Sequence, residues 1–320
     1  MITVTADTFQ LAQTFTISRG SKTEARVLTV RITRGGHTGW GECVPYARYG
    51  ETPESVTGQI TALPADITRQ ALQSALHPGA ARNAVDCALW DLAAKTAGQP
   101  VWQLANLPEP KPVQTAYTLS LNTPQIMREQ AAINAHRPIL KIKLGTPDDM
   151  PRLEAVRAGA PKSTLIIDAN EGWTPQIYTH LAPHLIRLGV ALVEQPLPAG
   201  ADDMLVEIAR PLPICADESA HDAASLVGLV GKYDMVNLKL DKTGGLTQGL
   251  IARATAQRLG LNLMVGCMVG SSLAMAPAVL LAQGAAFTDL DGPLLLAEDR
   301  ANALHYDGAG VHPATAQLWG

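Results

Sequence analysis

Residues 139–144, which read Ile-Leu-Lys-Ile-Lys-Leu, begin a series of short apolar runs with charged residues at or near their ends. Their period-two alternation predicts a strand, with Lys141 and Lys143 on one face and aliphatic side chains on the other. A strand that is covered on both faces seldom carries an inward lysine, because an unpaired buried charge is costly. The segment therefore indicates a buried parallel strand whose lysines line a site.

Runs of this kind recur along the chain after Pro112. From the second run onward their starts lie 22 to 27 residues apart, and a helix is predicted in each gap. The runs occupy residues 115–121, 139–144, 164–168, 190–194, 212–216, 234–240, 261–265 and 285–290. Eight βα units of about 25 residues predict a parallel α/β barrel, and a doubly wound open sheet is the alternative.

The residues before Pro112 follow a different pattern. Residues 2–10 and 25–45 are predicted to be extended, and residues 54–75 and 80–97 are predicted to be helical. Strands followed by helices indicate an α+β unit of about 110 residues ahead of the barrel.

Composition excludes several classes of partner. The chain of 320 residues has a net charge of −4 and no basic block, so we expect no binding to nucleic acid or to anionic lipid. Four widely spaced cysteines form neither a disulfide framework nor a metal knuckle. The start lacks the features of a secretory signal, which predicts a cytoplasmic protein. The uncharged residues 259–288 are interrupted by Gly, Ser and Pro, and predict a strand and a buried helix rather than a membrane span.

Charged residues recur in order at the predicted strand ends. Lys143, Asp168, Glu194, Asp217 and Lys239 follow one another at gaps of 25, 26, 23 and 22 residues. Three carboxylates that converge on one point need a cation, and oxygen ligands are those that Mg²⁺ prefers. A lysine on each side of the metal suits removal and return of a proton next to a carboxylate, through an enediolate that the metal stabilises.

Lys141 is predicted to support this chemistry rather than to perform it. A lysine acts as a base near neutral pH only if its pKa falls from roughly 10.4 to about 7–8. Lys141 is either a neighbouring cation that lowers the pKa of Lys143 or a contact to a carboxylate. Taken singly, each of these charged features is ordinary for a strand-end cap or a solvated face, and the ordered series is what indicates one shared site.

These motifs resemble those of the enolase superfamily, muconate-lactonizing subgroup. The resemblance covers nearly the whole chain and rests on Lys141-Ile142-Lys143, Asp168-Ala169-Asn170, Glu194-Gln195-Pro196, Ala216-Asp217-Glu218-Ser219 and the segment from Asn237 to Gly245. It implies a modified TIM barrel, (β/α)7β, with an α+β capping domain. The domains it implies are a cap over residues 1–112, a barrel over residues 113–295, and a tail over residues 296–320 that returns to the cap.

The same resemblance implies the roles of the charged residues. Asp168, Glu194 and Asp217 bind one Mg²⁺ per subunit, and Lys143 and Lys239 form the acid/base pair. The subgroup contains epimerases, racemases, cycloisomerases and a dehydratase, so membership does not determine the substrate.

Two further features resemble the dipeptide epimerases that act on L-Ala-D/L-Glu. The eighth run ends in Asp289-Leu290-Asp291, a pattern that in those enzymes holds the N-terminal ammonium of the substrate. Arg19, in the Gly-containing loop of residues 16–22, is the predicted partner of the glutamyl side chain. Residues 45–52 form a second candidate lid.

The resemblance implies proton transfer at the glutamyl α-carbon of a small dipeptide, in a cytoplasmic enzyme of murein peptide recycling. N-acylamino acid racemisation, muconate-type cycloisomerisation and a non-catalytic ligand-binding barrel are the alternatives. The assignment of each lysine to one epimer, the breadth of dipeptide specificity and a homo-oligomeric state are left open by the sequence.

Overall fold

An antiparallel sheet of three strands begins the chain in the computed structural model, which describes residues 1–308 and 310–320. The strands are β1 (Ile2–Ile17), β2 (Gly20–Arg34) and β3 (His37–Cys43). Alternate side chains of β2, among them Val30 and Ile32, are fully buried against helices on one face of this sheet. We call this sheet and its helices the cap.

Four helices complete the cap: α1 (Pro53–Thr61), α2 (Arg69–Ala75), α3 (Ala80–Ala97) and α4 (Val101–Leu104). The prediction of one continuous helix over 54–75 was wrong, because Pro64 interrupts it and Thr68 begins a new helix as its N-cap. Helix α3 packs directly on β3. A Cβ atom at Gly41 would lie 2.1 Å from the carbonyl oxygen of Ala84, so only glycine allows this approach.

Eight parallel strands form the second sheet, and neighbours in this sheet are neighbours in the chain. They are β4 (Tyr117–Leu119), β5 (Ile139–Lys143), β6 (Thr164–Asp168), β7 (Val190–Glu194), β8 (Ile214–Ala216), β9 (Met235–Leu238), β10 (Asn262–Gly266) and β11 (Phe287–Asp289). The amide of Ala116 donates to the carbonyl of Thr288 at 2.8 Å, so the first and last strands meet. The predicted barrel is confirmed, and the open doubly wound sheet is excluded.

Helices on the outside connect most of the barrel strands. They are α5 (Pro124–Ile133), α6 (Met150–Gly159), α7 (Pro175–Arg187), α8 (Leu240–Thr243), α9 (Leu246–Arg258) and α10 (Ser272–Leu281). The uncharged residues 259–288 contain β10 and the buried helix α10, as predicted. Within the described ranges, no helix is long and apolar enough to cross a membrane.

Two predicted crossover helices are absent as α-helices in the described chain. Only short 3-10 turns, Asp203–Val206 and Ser225–Leu229, follow β7 and β8. Prolines at 196, 198, 211 and 213 border the first connection, and glycines at 228 and 231 lie at the end of the second. Proline removes a helical hydrogen-bond donor and glycine adds backbone entropy, so these connections cannot sustain longer helices.

The C-terminal tail contacts both the barrel and the cap. It carries a short hairpin of β12 (Tyr306–Asp307) and β13 (Gly310–Val311). Arg300 pairs with Glu42 at 2.8 Å and with Asp7 at 2.9 Å, both on cap strands. The indole of Trp319 donates to the carbonyl of Cys87 in α3 at 3.0 Å.

Asp241, in the short helix α8, joins the barrel to the cap through buried hydrogen bonds. Its Oδ1 atom accepts from the amide of Val44 at 3.1 Å and from the side chain of Asn83 at 2.8 Å. Burial raises the pKa of Asp241 to about 7; the two hydrogen bonds oppose this rise, and the nearby Glu51 and Glu42 add to it. The folded protein therefore binds a proton here that the unfolded chain releases.

We predict that Asp241→Asn makes the free energy of unfolding less dependent on pH. Because the folded pKa lies above the unfolded one, wild-type stability falls as the pH rises from about 4 through about 7. The asparagine keeps the accepting oxygen but does not ionise. Urea unfolding at pH 5 and pH 8 gives the loss in free energy of unfolding between these two pH values. This loss should be smaller in the variant than in the wild type, by about 1 kcal/mol or more.

The exposed Glu24 supplies the control for this measurement. Hydrogen bonding and charge from Arg26 lower the pKa of Glu24, so Glu24→Gln should leave the change between pH 5 and pH 8 unaltered. Equal pH dependence in the wild type and Asp241→Asn would contradict the assignment.

Candidate active site

The carboxyl-terminal rim of the barrel brings the five predicted charged residues together. Asp168 ends β6, Glu194 ends β7, and Asp217 directly follows β8. The strand register pairs Lys143 with Asp168, and Asp168 with Glu194. Lys239, predicted to lie within a strand, instead follows the end of β9 directly. In barrels of this kind the strand ends at this rim carry the site.

Asp168, Glu194 and Asp217 form a buried carboxylate trio. Each offers a ligand oxygen, and these oxygens lie within 4.8 Å of one another. Burial raises the pKa of Glu194 to about 7, and the neighbouring Asp168 adds to this rise. Carboxylates this close repel unless cations neutralise them, and an all-oxygen donor set suits a hard divalent cation. The trio therefore fits a divalent metal.

Neighbouring side chains orient two members of the trio. Asn237 donates to Oε1 of Glu194 at 2.7 Å. Lys242, which sequence reasoning did not assign to the site, donates to Oδ1 of Asp217 at 2.6 Å and to its carbonyl oxygen at 2.5 Å. Such outer contacts fix ligand geometry before a metal arrives.

Strained backbone also shapes the rim. Asn170, Glu171 and Gln195 have φ angles of 44°, 66° and 35°, although none is a glycine. The left-handed region costs an ordinary residue roughly 1–2 kcal/mol, and such residues concentrate at functional sites. The oxygen of the Gln195 side chain accepts from the amides of Asp217 and Ser219, at 2.9 and 3.1 Å. The strained loop after β7 thereby supports the one after β8.

Lys143 and Lys239 lie on either side of the trio in strand order. The Lys143 ammonium is 2.6 Å from Oδ2 of Asp168, and that of Lys239 is 2.7 Å from Oδ2 of Asp217. Burial lowers the pKa of Lys239, but the neighbouring negative charges, led by Asp217 and joined by Glu194, together raise it well above its ordinary value. Both lysines line a single cavity of about 270 Å³ between the cap and the rim.

Lys141 contacts three carboxylates, and its charge also acts to lower the pKa of Lys239. Its ammonium lies 2.7 Å from Glu194, 2.7 Å from Asp289 and 3.1 Å from Asp168. Burial lowers the pKa of Lys141, but these three charges raise it well above its ordinary value. Lys141 is therefore a fixed cation between the trio and the eighth strand.

Asp289 and Asp291 are both buried at the end of β11. Oδ2 of Asp291 accepts from the amide of Thr118 at 2.6 Å, and Oδ1 of Asp289 has no hydrogen-bond partner among the described residues. Burial raises the pKa of Asp291 to about 7, and Asp289 adds to this. Burial and the charges of both aspartates raise the pKa of Cys267, which lines the cavity. Cys267 lines the cavity, whereas neither aspartate is among its lining residues.

Arg19 lines the cavity, but its guanidinium is engaged by the protein. It lies 2.8 Å from Glu218 and 3.2 Å from Glu171, and it donates to the carbonyl of Asn170 at 2.8 Å. Arg48 donates to both carboxylate oxygens of Glu171, at 2.8 and 3.0 Å. The two predicted lid segments of the cap are therefore tied to the barrel rim through the same carboxylate.

Lys22 is a cavity residue that sequence reasoning missed. Its ammonium lies 5.7 Å from the centre of the Phe15 ring, which Lys143 also approaches, at 5.9 Å. Burial lowers the pKa of Lys22 to about 8, and the charges of Lys143 and Lys239 contribute. No carboxylate of the described chain lies within 4 Å of its nitrogen. The available signal was a second cation in the loop over residues 16–22.

The fold and this site define a known class of enzymes. Residues 1–105 match the family model of the mandelate racemase / muconate lactonizing enzyme N-terminal domain, and residues 126–306 match that of the enolase C-terminal domain-like family. The chain therefore belongs to the mandelate racemase / muconate lactonizing enzyme family of the enolase superfamily, as its motifs predicted.

Individual relatives are similar over almost their whole length. The L-Ala-D/L-Glu epimerase of Escherichia coli strain K12 is 44% identical over 317 residues, covering 97% of this chain and 99% of the relative. An N-acetyl-D-glutamate racemase of a Pseudoalteromonas species is 46% identical over 288 residues, covering 88% and 91%.

A solved structure extends the similarity to the fold. An enolase family member from Agrobacterium tumefaciens, described as homologous to dipeptide epimerases and solved with sodium and L-Ala-L-Glu, is 55% identical with a TM-score of 0.97. The match covers 100% of this chain and 99% of that one.

We predict that Glu171→Gln loosens both lid segments, because one carboxylate holds Arg19 and Arg48. Arg48 is partly exposed, so solvent weakens its pair, whereas Glu171 is largely buried. A loss of about 1 kcal/mol in the free energy of local opening corresponds to roughly fivefold faster amide hydrogen exchange. Mass spectrometry should detect this in residues 15–22 and 45–52.

Glu154→Gln is the matched control, because it removes an exposed pair with Arg187 at 3.6 Å on the outer helices. It should leave exchange in both lid segments unchanged. If Glu171→Gln also leaves exchange unchanged, the shared carboxylate does not hold the lids.

Proposed function

We propose that the protein is a Mg²⁺-dependent epimerase of L-Ala-D/L-Glu dipeptides that inverts the glutamyl α-carbon by moving one proton. The observation that carries this proposal is the placement of Lys143 and Lys239 on either side of the carboxylate trio in one cavity. Similarity to the L-Ala-D/L-Glu epimerase and to the structure solved with L-Ala-L-Glu supports it. By the same likeness we assign the reaction to murein peptide recycling in the cytoplasm.

Asp168, Glu194 and Asp217 are the residues that would hold Mg²⁺. Their convergent oxygens and the contacts from Asn237 and Lys242 fit a hard divalent cation. When bound, the ion supplies positive charge that holds the substrate carboxylate and stabilises the negative charge that develops on it as the α-proton leaves.

The two lysines exchange the roles of base and acid. The charge of a bound divalent ion would oppose that of Asp217 and so lower the pKa of Lys239. A neutral amine on one side of the bound dipeptide removes the α-proton, and the ammonium on the other side returns a proton to the opposite face of the carbon. Return from the opposite face inverts the centre. Because each epimer presents its α-proton to a different side, the base for one epimer is the acid for the other.

Lys22 in the cavity and two aspartates near its lining residue Cys267 supply complementary charges for the two ends of a dipeptide. Asp289 and Asp291 suit the free ammonium of the first residue, and Lys22 suits the glutamyl carboxylate of the second. The ammonium of Lys22 faces the cavity, whereas Arg19 is engaged by Glu218 and Glu171. The contact of Arg19 with the substrate stays a prediction. Of the predicted loop over residues 16–22, only Ser18 and Arg19 lie between β1 and β2, and Lys22 lies in β2. We propose that Arg19 positions this hairpin, which carries Lys22.

Racemisation of an N-acylated glutamate is the second candidate function. The 46% identity to an N-acetyl-D-glutamate racemase favours it. An N-acyl group carries no positive charge, so it would bring no cation to Asp291 or to the unpartnered Oδ1 of Asp289, whose Oδ2 is already paired with Lys141. The aspartate pair therefore favours the dipeptide.

We predict that incubation with L-Ala-L-Glu and Mg²⁺ in D₂O replaces the glutamyl α-proton with deuterium and yields the D-epimer. Proton NMR follows both changes. Lys143→Ala and Lys239→Ala should each lower epimerisation by at least about 10²-fold, the range for a positioned acid or base. Each variant retains the base for one epimer. We therefore expect some remaining exchange of the α-proton with deuterium, without inversion of the carbon.

Lys111→Ala, a change outside the cavity, is the control and should match the wild type. Absence of exchange with the wild type and Mg²⁺ would refute the dipeptide assignment. N-acetylglutamate, tested in parallel, should react more slowly than L-Ala-L-Glu; the reverse order supports the second candidate.

We predict that Lys22→Met raises KM for L-Ala-L-Glu about 10- to 100-fold, because a paired charge in a dry pocket is worth roughly 1.4–2.8 kcal/mol. KM for L-Ala-L-Leu should change little, since its side chain has no charge. Lys22→Arg should restore part of the loss. Steady-state kinetics with both dipeptides measure the difference.

Arg19→Met separates positioning from contact in the same assay. It should lower kcat/KM for both dipeptides together, because it loosens the loop rather than removing one charge contact. A loss confined to L-Ala-L-Glu in Arg19→Met, with Lys22→Met unaffected, would return the substrate contact to Arg19.

A further inference from the structure

A second cluster of metal-ligating side chains lies on the C-terminal hairpin, outside the lining of the catalytic cavity. His305 directly precedes β12, Asp307 ends β12, and His312 directly follows β13. The amide of His312 donates to the carbonyl of His305 at 2.9 Å, which holds the two histidines side by side. Their ring centres are 4.8 Å apart.

Two of the three separations between donor atoms come close to those of a tetrahedral metal site, and all the donor atoms lie within 4.8 Å of one another. Nε2 of His305 lies 3.4 Å from Oδ2 of Asp307, and Nε2 of His312 lies 2.9 Å from the same oxygen. Bonds of about 2.0–2.2 Å to zinc at tetrahedral angles separate neighbouring ligand atoms by about 3.3–3.5 Å. Both separations agree with this range to within about half an ångström.

The orientation of His312 also favours a shared cation. Its Nε2 atom is inaccessible to solvent and makes no hydrogen bond to a described residue, although the carboxylate oxygen is only 2.9 Å away. The nitrogen therefore does not aim at that oxygen. A ring nitrogen and a carboxylate oxygen in such contact repel unless a proton or a metal ion lies between them.

We propose that His305, Asp307 and His312 form a surface site for a divalent transition-metal ion such as Zn²⁺. Two imidazole nitrogens and one carboxylate favour Zn²⁺, Co²⁺ or Ni²⁺ over Mg²⁺, which prefers oxygen ligands. The site thus differs chemically from the carboxylate trio. His305 is largely exposed, so water completes the coordination.

The position of the hairpin gives the site a structural consequence. Val113 and Val311 exchange backbone hydrogen bonds of 2.9 and 3.0 Å, and the Tyr306 hydroxyl donates to the carbonyl of Leu290 at 2.8 Å. Val113 precedes the first barrel strand and Leu290 follows the last. The hairpin therefore contacts both sides of the seam at which the barrel closes, and an ion bound to it stabilises the folded state.

The test uses the full-length protein in excess Mg²⁺, titrated with Zn²⁺ by calorimetry. We expect one Zn²⁺ per chain, with an affinity that His305→Ala and His312→Ala each weaken about tenfold or more. Zn²⁺ should raise Tm in the wild type and not in the variants. Co²⁺ should give the intense visible absorption of tetrahedral coordination in the wild type alone.

His180→Ala and His184→Ala are the matched controls. These residues form a histidine pair on α7 with ring centres 5.8 Å apart, for which the described residues supply no third ligand. Both should bind Zn²⁺ as the wild type does. Activity with Mg²⁺ should be unchanged in His305→Ala, which shows that its fold is intact and keeps this test separate from that of the epimerase.

Two results overturn the proposal. One is equal Zn²⁺ affinity in the wild type and in both His305→Ala and His312→Ala, which assigns the binding elsewhere. The other is wild-type binding only at millimolar Zn²⁺ without a change in Tm, which is adventitious.

Discussion

Mutual repulsion among three buried carboxylates is the constraint on which the rest of this structure depends. Asp168, Glu194 and Asp217 lie closer together than ionised groups tolerate in a dry interior without cations. Lysines from the flanking strands offset this repulsion with positive charge, and Lys141 is the most deeply buried of them. A site assembled in this way has its proposed acid/base lysines in contact with its proposed metal ligands before substrate arrives, which is the preorganisation that electrostatic catalysis requires.

The cap makes the second contribution, because the barrel rim alone is open to water. Its hairpin between β1 and β2 and its loop after β3 reach over the rim and are held there by Glu171. Closing an active site strengthens every charge interaction inside it. In the proposed reaction, specificity and catalysis are divided between two units of the chain: the barrel would hold the reacting carbon, and the cap would contact the variable end of the substrate.

The sequence predicted the barrel and the positions of the charged residues at its rim well, because both depend on local periodicity. Each of the eight predicted strands is found within two residues of its expected start, and the carboxylate trio lies where the strands end. The missing crossover helices were also readable in principle from the prolines around the connection after β7. The regular βα spacing along the chain predicts helices there in spite of these helix-breaking residues.

Long-range contacts were beyond the sequence for a physical reason. Arg19 and Lys22 both line the cavity, and which of them is paired with carboxylates depends on Glu171 and Glu218, about 150 to 200 positions away from Arg19. No local pattern encodes that pairing. Likewise, no local pattern distinguishes Lys242 from an exposed helix residue. In the structure, the backbone after β9 directs its side chain toward Asp217.

The left-handed residues at the rim have a consequence for how this protein tolerates change. Asn170, Glu171 and Gln195 hold conformations that glycine would adopt at less conformational cost. Their side chains nevertheless make contacts that glycine cannot make. Each position therefore lowers the stability of the fold while it supports the function. Replacements selected only for thermal resistance will accumulate at these positions and erode the lid and the metal ligands together. The rim is where robustness and turnover compete, and the barrel wall beneath it is where stability can be added without loss.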